Sequence, residues 1–121
     1  MRLQALRGAT TVESNESGAI LSATEELLHA VLDRNNLEAE NLVSCIFTVT
    51  DDLDADFPAV AARRIGLDGV PLLCTREIPV PGSLPRVIRI LMHYYAGEDH
   101  EIRHVYLGEA KDLRLDLEGA Q

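Results

Sequence analysis

The chain has 121 residues, of which 46% are apolar, so we expect one domain with a single hydrophobic core. Its formal net charge of −9 argues against a nucleic acid or an anionic membrane as the partner. The basic residues are ten arginines and one lysine, and arginine suits bidentate recognition of carboxylates. Compositional bias or thermal adaptation explains this imbalance equally well. An anionic ligand would require several arginines to lie close together in the fold.

The two cysteines indicate the compartment. Cys45 and Cys74 lie in apolar segments and lack a CxxC spacing, which is typical of reduced thiols in a cytoplasmic protein. No signal peptide is recognisable, and no apolar run approaches the length that spans a membrane. We therefore expect a cytoplasmic location.

The first part of the chain predicts a strand, a long helix and a second strand. The first strand starts in the mixed segment 1–6 and ends at Arg7-Gly8-Ala9, because Gly8 permits a tight turn directly after Arg7. Arg7 would then lie at the carboxyl end of a strand, where open α/β sheets bind ligands. Apolar residues at a 3.6-residue period predict a helix over about 16–34. The β-branched segment 42–50 predicts a strand that is covered on both sides.

An acidic loop and a short helix come next. The loop spans residues 51–56, and the helix spans 57–65, with Pro58 in its first turn and Gly66 at its end. A calcium loop needs a longer ligand pattern with a distal glutamate, so a solvated loop and a helix cap explain the acidic residues better. The apolar run 70–74 predicts a third strand.

A thiol and a carboxylate follow one another at the end of this third strand. Cys74 and Glu77 are three residues apart, so on a regular strand they would face opposite ways. A bend before Pro79 would bring both side chains toward one pocket. We therefore treat both as candidate site residues.

A second long helix is predicted over residues 84–95, because Ser83 is a favourable N-cap. Arg86 and Arg89 would share one face of this helix. Cations near a helix N-terminus are unfavourable, so this pair calls for an anion from a ligand or another subunit. Alternating residues at 102–107 predict the last strand. The order β-α-β-α-β-α-β predicts an α/β (α+β) domain, with a mixed sheet and helices on one side.

Three separated segments of the chain belong together: residues 6–13, residues 57–63, and residues 74–89 continued by 103–107. In their joint order and spacing they resemble the monofunctional α/β-class chorismate mutases, which are distinct from the all-helical class. The likeness runs from about residue 2 to residue 116. The resemblance implies a homotrimer whose sheets form a pseudo-α/β-barrel core, with active sites between subunits. It also implies the Claisen rearrangement of chorismate to prephenate, in phenylalanine and tyrosine biosynthesis, without cofactor or metal.

The resemblance assigns catalytic roles residue by residue. Arg89 would donate to the ether oxygen of the breaking bond. Arg7 would hold a substrate carboxylate, with Tyr106 hydrogen-bonding beside it. Glu77 and the Cys74 region would bind the ring hydroxyl. These assignments make Arg89, Glu77 and Arg7 the catalytic residues.

Further residues would form the walls, the charged mouth and the lid of the pocket. They are Phe57, Ala59, Arg63, Leu72, Leu73, Leu113 and Arg114. Leu113 and Arg114 belong to a C-terminal tail, expected to be mobile from about residue 112 of the single 1–121 domain. Val60 stands where some relatives carry a lysine, which lowers the positive charge at the rim. We expect the two walls to come from different chains, one with Arg7, Arg89 and Tyr106, the other with Phe57, Leu73, Cys74 and Glu77.

The chemistry fits these residue types. The rearrangement is unimolecular and requires neither a nucleophile nor a proton transfer. The C–O bond breaks ahead of C–C formation, so negative charge grows on the ether oxygen. A fixed guanidinium there stabilises the transition state more than the ground state, which is the condition for a higher kcat.

Two other functions stay open on the sequence. A trimeric carboxylate-binding protein without turnover would bind ligand but leave the ultraviolet absorbance of chorismate unchanged. A trimeric, arginine-dependent enzyme that hydrolyses imines would need a positioned water, and the segment around Glu77 and Arg89 does not resemble that family.

Overall fold

The computed structural model describes residues 1–113 of the chain. No helix in this part of the chain is both long and apolar enough to span a bilayer. In chain order the main elements are β1 (Arg2–Thr11), α1 (Ser17–Arg34), β2 (Leu42–Val49), α2 (Pro58–Arg64), β3 (Leu72–Arg76), β4 (Val87–Ala96) and β5 (Val105–Tyr106). Short 3-10 turns lie at Ala39–Asn41 and Gly108–Ala110.

The strands form one mixed sheet in the order β3-β2-β4-β1-β5. The central strand β4 runs antiparallel to both β1 and β2. The outer pairs, β2 with β3 and β1 with β5, are parallel. Both helices pack on the same face of this sheet. The mixed sheet with helices on one side is therefore confirmed.

The segment predicted as a second long helix is the central strand. Burial alternates along β4, so that Ile88, Ile90, Met92 and Tyr94 are buried while Arg89 and the residues at 91, 93 and 95 are half-buried or exposed. This period of two belongs to a strand with one covered face. The order of elements is β-α-β-α-β-β-β, and the prediction of a helix over 84–95 is wrong.

The residues before β4 also differ from the prediction. Ser83 does not cap a helix, since its hydroxyl donates to the carbonyl of Val80 at 2.6 Å. Arg86 has a positive φ of 51°, which breaks any helical continuity into Val87. Its backbone N–H donates to the Asp52 carboxylate at 3.0 and 3.2 Å, and these bonds hold the unusual conformation. Arg86 and Arg89 therefore do not share a helix face.

The first strand is longer than predicted. Gly8 lies inside β1 rather than in a turn, so Arg7 is in the middle of a strand. A Cβ at Gly8 would lie 3.1 Å from Cγ1 of Ile90 and 3.3 Å from Cδ1 of Leu27. A larger residue here would press on Ile90 of the neighbouring strand and on Leu27 of α1, so glycine permits the close approach of helix and sheet. The last strand is shorter than predicted, at Val105–Tyr106.

The core lies between the helices and the covered face of the sheet. Leu6, Phe47, Met92 and Tyr94 are fully buried there, under the apolar stripe of α1. That stripe confirms the helix predicted at about 16–34. We call the other side of the sheet the open face. Among the residues that face it are Leu3, Arg7, Thr48, Leu73, Arg89, Leu91 and Tyr95.

Candidate active site

An arginine and a glutamate form an ion pair on the open face. Nε of Arg89 donates to Oε2 of Glu77 at 3.0 Å, and the two side chains are 37% and 17% exposed. The hydroxyl of Thr48 donates to the same oxygen at 2.6 Å. Because Thr48 lies directly opposite Arg89 in the β2–β4 register, both donors come from the rigid centre of the sheet.

Glu77 reaches this face because the sheet continues one residue beyond β3. The N–H of Glu77 donates to the carbonyl of Val49 at 2.9 Å, which extends the pairing of β2 with β3. Thr75 lies opposite Thr48, and residues two apart on a strand share a face. Glu77 therefore shares a face with Arg89. Beyond it the chain leaves the sheet, and Ile78 is 83% exposed.

Arg7 and Tyr106 lie on the same face as Arg89. Ala9 is opposite Arg89 on one side and opposite Tyr106 on the other. Arg7 is two residues before Ala9 on β1, so its side chain faces the same way. The backbone N–H of Arg7 donates to Nδ1 of His104 at 3.0 Å, which ties β1 to the segment before β5. The structure thus places Arg7, Glu77, Arg89 and Tyr106 on one face of the sheet.

A buried asparagine fixes the segment that carries Tyr106. Asn35 ends helix α1 and is 3% exposed. Its Oδ1 accepts from the N–H of Arg103 at 2.8 Å, and its Nδ2 donates to the carbonyl of Arg103 at 2.9 Å. This paired contact holds the chain just before β5, so the position of Tyr106 depends on the end of α1.

Cys74 and Phe57 lie away from this group. Cys74 is opposite Phe47 in the register and packs against the helix-side core. It lines a cavity of about 410 Å³ together with Phe57 and Pro58. Within one chain, therefore, the expected bend does not bring Cys74 and Glu77 into one pocket. The regular strand parity persists to Glu77 and keeps the two side chains on opposite faces.

The remaining wall residues are spread over the helix side and the edge of the sheet. Ala59 is buried in the core beneath α2, whereas Arg63 is exposed on the same helix. Leu72 is half-buried against the core, while Leu73 is 61% exposed on the open face. Leu113 packs near Ala9 and Tyr106, and Arg114 lies outside the described residues.

One grouping from the sequence needs correction. The sequence predicts Glu77 with Phe57, Leu73 and Cys74 on the wall that a different chain supplies. In the structure its carboxylate contacts Arg89 of its own chain. The reason is the one-residue extension of the β2–β3 pairing, which the sequence does not reveal.

The buried thiol of Cys45 is not suited to act as a nucleophile. Burial, with a smaller contribution from the neighbouring Cys74, raises the pKa of Cys45 to about 12. A thiol with so high a pKa stays protonated near neutral pH and is a poor nucleophile. The arrangement on the open face instead suits the binding of a polar, anionic molecule by guanidinium and hydroxyl groups.

Sequence reasoning missed Thr48 and His104 as neighbours of the site. Thr48 lies inside an apolar, β-branched run, where a threonine is ordinarily a strand former. Only the register of β2 with β4 places it beside the ion pair. His104 was interpreted as structural, and its contact with the backbone of Arg7 fits that interpretation.

Known proteins similar to this chain share one description. Residues 3–117 match the model of the family described as chorismate mutase type I. The chain is 53% identical to Chorismate mutase AroH of Thermus thermophilus over 121 residues, covering 98% of this chain and 99% of the relative. It is 39% identical to Chorismate mutase AroH of Bacillus subtilis (strain 168) over 119 residues, covering 97% and 94%.

A solved structure agrees with these relatives. A chorismate mutase from Clostridium thermocellum has a TM-score of 0.87 to this chain at 48% identity, covering 90% of this chain and 98% of that one. Of the three functions that the sequence left open, the comparisons support the first. This chain belongs to the type I chorismate mutase family, the isomerases of aromatic amino acid biosynthesis that convert chorismate to prephenate.

Proposed function

We propose that the rearrangement takes place over the open face, at a site centred on Arg89, Glu77 and Arg7. The observation that carries this proposal is the 3.0 Å ion pair between Arg89 and Glu77, in the same part of the sheet as Arg7 and Tyr106. Arg89 lies in the central strand β4, and Glu77 directly follows β3, which is separated from β4 by β2. A rigid sheet is a suitable support for groups that must not reorganise during the reaction.

Arg89 stabilises the developing charge. Its Nε is engaged by Glu77, while its two terminal nitrogens have no acceptor within residues 1–113. They are free to donate to the ether oxygen as the C–O bond breaks. One such donor contributes roughly 3–4 kcal/mol. An acceleration of ~10⁶ corresponds to about 8 kcal/mol, so a preorganised substrate conformation supplies much of the rest.

The other groups hold the substrate in its folded form. Arg7 binds a substrate carboxylate, and the phenol of Tyr106 donates a hydrogen bond beside it. Glu77 binds the ring hydroxyl through Oε1, because Oε2 already accepts from Thr48 and Arg89. No covalent intermediate and no proton transfer are needed.

We propose that the protein is a homotrimer in which the open faces form a common core. This face exposes apolar side chains that a helix would cover on the other side: Leu3 is 51%, Leu73 61%, Leu91 37% and Tyr95 47% exposed. Several large apolar side chains exposed on one face of a sheet are typical of an interface. Cyclic assembly would bury it and bring the helix side of one chain to the edge of the next.

The second wall of the site then comes from a neighbouring chain. Phe57 is 66% exposed at the start of α2 and is free to contact a neighbour. Arg63 is exposed in the second turn of the same helix and adds positive charge at the mouth. Ala59, Leu72, Leu73 and Cys74 complete this wall, and Leu113 and Arg114 close over the substrate.

The location in the cell is also a proposal. Cys45 and Cys74 are both free thiols, although Cys45 lies opposite Leu72 only two residues from Cys74 along the neighbouring strand. Free thiols fit a reducing compartment and support a cytoplasmic location.

A mixing experiment tests the shared site. Arg89→Ala removes the catalytic guanidinium from one wall of the site. Phe57→Asp places a carboxylate on the opposite wall, where it repels the dianionic substrate. Each variant alone should lose most of its turnover of chorismate. The loss of the ultraviolet absorbance of chorismate measures this turnover. When the two are co-expressed with different tags and the mixed trimers are purified, one site in each mixed trimer has two intact walls, so activity should return. Mixed trimers without recovered activity would contradict a shared site.

A further inference from the structure

A threonine beside the ion pair has no role in the assignments made so far. Thr48 lies in the middle of β2, is half-buried, and faces the open side of the sheet. Its hydroxyl donates to Oε2 of Glu77 at 2.6 Å, a short bond to a charged acceptor. Hydrogen bonds of this kind are stronger than bonds between neutral groups.

The glutamate needs such support because of its place in the chain. Glu77 is the last residue paired with the sheet, and the next residues, Ile78 to Gly82, form an exposed loop. Without a fixed partner its side chain can choose among several rotamers. Thr48 is β-branched and so has few rotamers, which gives its hydroxyl a well-defined position.

The two donors bind one oxygen of the Glu77 carboxylate and leave the other oxygen for a ligand. Within residues 1–113, Thr48 and Arg89 are the partners of the carboxylate, and both bind Oε2. Oε1 has no donor in this part of the chain and is left for a ligand. The Oε2 atom in turn holds Nε of Arg89, which sets the direction of the guanidinium.

We propose that Thr48 is a positioning residue for the rearrangement, and that it acts by fixing Glu77. It orients two groups at once: Oε1, which takes the ring hydroxyl of chorismate, and the guanidinium of Arg89, which serves the ether oxygen. The inference rests on the proposed site at Arg89 and Glu77. It adds a residue that contacts neither the substrate nor the breaking bond.

The test is the pair Thr48→Val and Thr48→Ser. Valine keeps the shape and removes the hydroxyl, so kcat/KM should fall by about tenfold or more, the usual effect of losing a hydrogen bond to a charged group. Both kcat and KM should change, because the orientation of Arg89 and the contact to the ring hydroxyl are both disturbed. Serine keeps the hydroxyl and should restore most of the activity.

A double-variant cycle separates positioning from a general loss of structure. In a Glu77→Ala background the carboxylate is gone, so Thr48→Val should have less than about a twofold further effect on kcat/KM. An equal loss in both backgrounds would overturn the inference. So would a Thr48→Val variant with normal kcat and KM.

A matched control removes a threonine hydroxyl far from the site. The hydroxyl of Thr24, which is buried in α1, donates to the carbonyl of Ile20 at 2.7 Å. Thr24→Val should therefore leave kcat and KM per folded molecule unchanged. If Arg89→Ala and Glu77→Ala both retain normal turnover, the proposed site itself fails. If they lose turnover while Thr48→Val keeps it, only the role of Thr48 fails.

Discussion

The two faces of the sheet use the same strands for different purposes. On the covered face Leu6, Phe47 and Met92 are completely buried under the helices. On the open face Arg7 and Arg89 project from the same strands and remain partly accessible. The covered face holds the chain together, whereas the open face carries charge that neither α1 nor α2 covers.

The difference between the two faces is clearest at two adjacent residues of β4. Ile90 is 3% exposed in the core, and Arg89 beside it is half-buried in the ion pair. Because side chains alternate along a strand, one residue of displacement separates a stabilising position from a chemical one. Rigid packing on one face thus fixes the groups on the other without contributing to the reaction directly.

The largest expected effect concerns the apolar part of the open face. Leu91→Asp places a carboxylate where the proposed trimer buries Leu91, at a cost of several kcal/mol per unpaired buried charge. We expect a monomer with native helix content and with turnover lost. Light scattering measures the oligomeric state, circular dichroism the helix content, and the chorismate assay the turnover. Ile102→Asp is the control, since Ile102 is similarly exposed, at 36% against 37%, but precedes β5 and belongs to no strand of the sheet. A fully active monomer would contradict the shared site.

The second largest effect is expected when the charge of Arg89 is removed and the proposed trimer stays intact. Arg89→Ala should lower kcat by at least ~10²-fold, because the donor to the ether oxygen is gone. The melting temperature and the oligomeric state should stay close to those of the parent. Arg64→Ala, an exposed arginine on α2, serves as the control and should keep full turnover. Near-normal turnover in Arg89→Ala would rule out the proposed role.

The neighbouring residue should show the opposite behaviour. Ile90→Val deletes one buried methyl group and should reduce the free energy of unfolding by about 0.5–1.5 kcal/mol. Turnover per folded molecule should be unchanged. Denaturant unfolding and the chorismate assay together measure this. A loss of kcat without a loss of stability would show that the two faces are not independent.

The smallest effect lies at the helix side, where α1 meets the acidic loop. The Ser17 hydroxyl donates to Asp56 at 2.6 Å and is the largest cause that lowers the pKa of that carboxyl. Because the pKa is lower in the folded state, the ionised carboxyl stabilises the protein above pH about 4. This stabilisation is lost as the pH falls through the pKa of the folded state. Ser17→Ala should raise the pKa of Asp56, as measured by NMR titration. An unchanged pKa would show that other contacts dominate.

Much of the molecule could be predicted from the sequence. Helix α1 was found because its apolar stripe repeats every 3.6 residues, a purely local pattern. The identities of Arg7, Glu77, Arg89 and Tyr106 came from the family resemblance, and the structure brings these four onto one face. Sequence similarity carries such information because the residues of a site are specific in type and order.

The tertiary structure alone decided the rest. Val87, Ile88, Leu91 and Met92 fit a helical stripe as well as a strand, and pairing with β1 and β2 on both sides resolves the ambiguity. The same pairing keeps Cys74 away from Glu77 and sets Thr48 beside Arg89. A strand obtains its hydrogen bonds from residues that are distant in the chain, so its place and its facing follow from its partners and cannot be derived from its own composition.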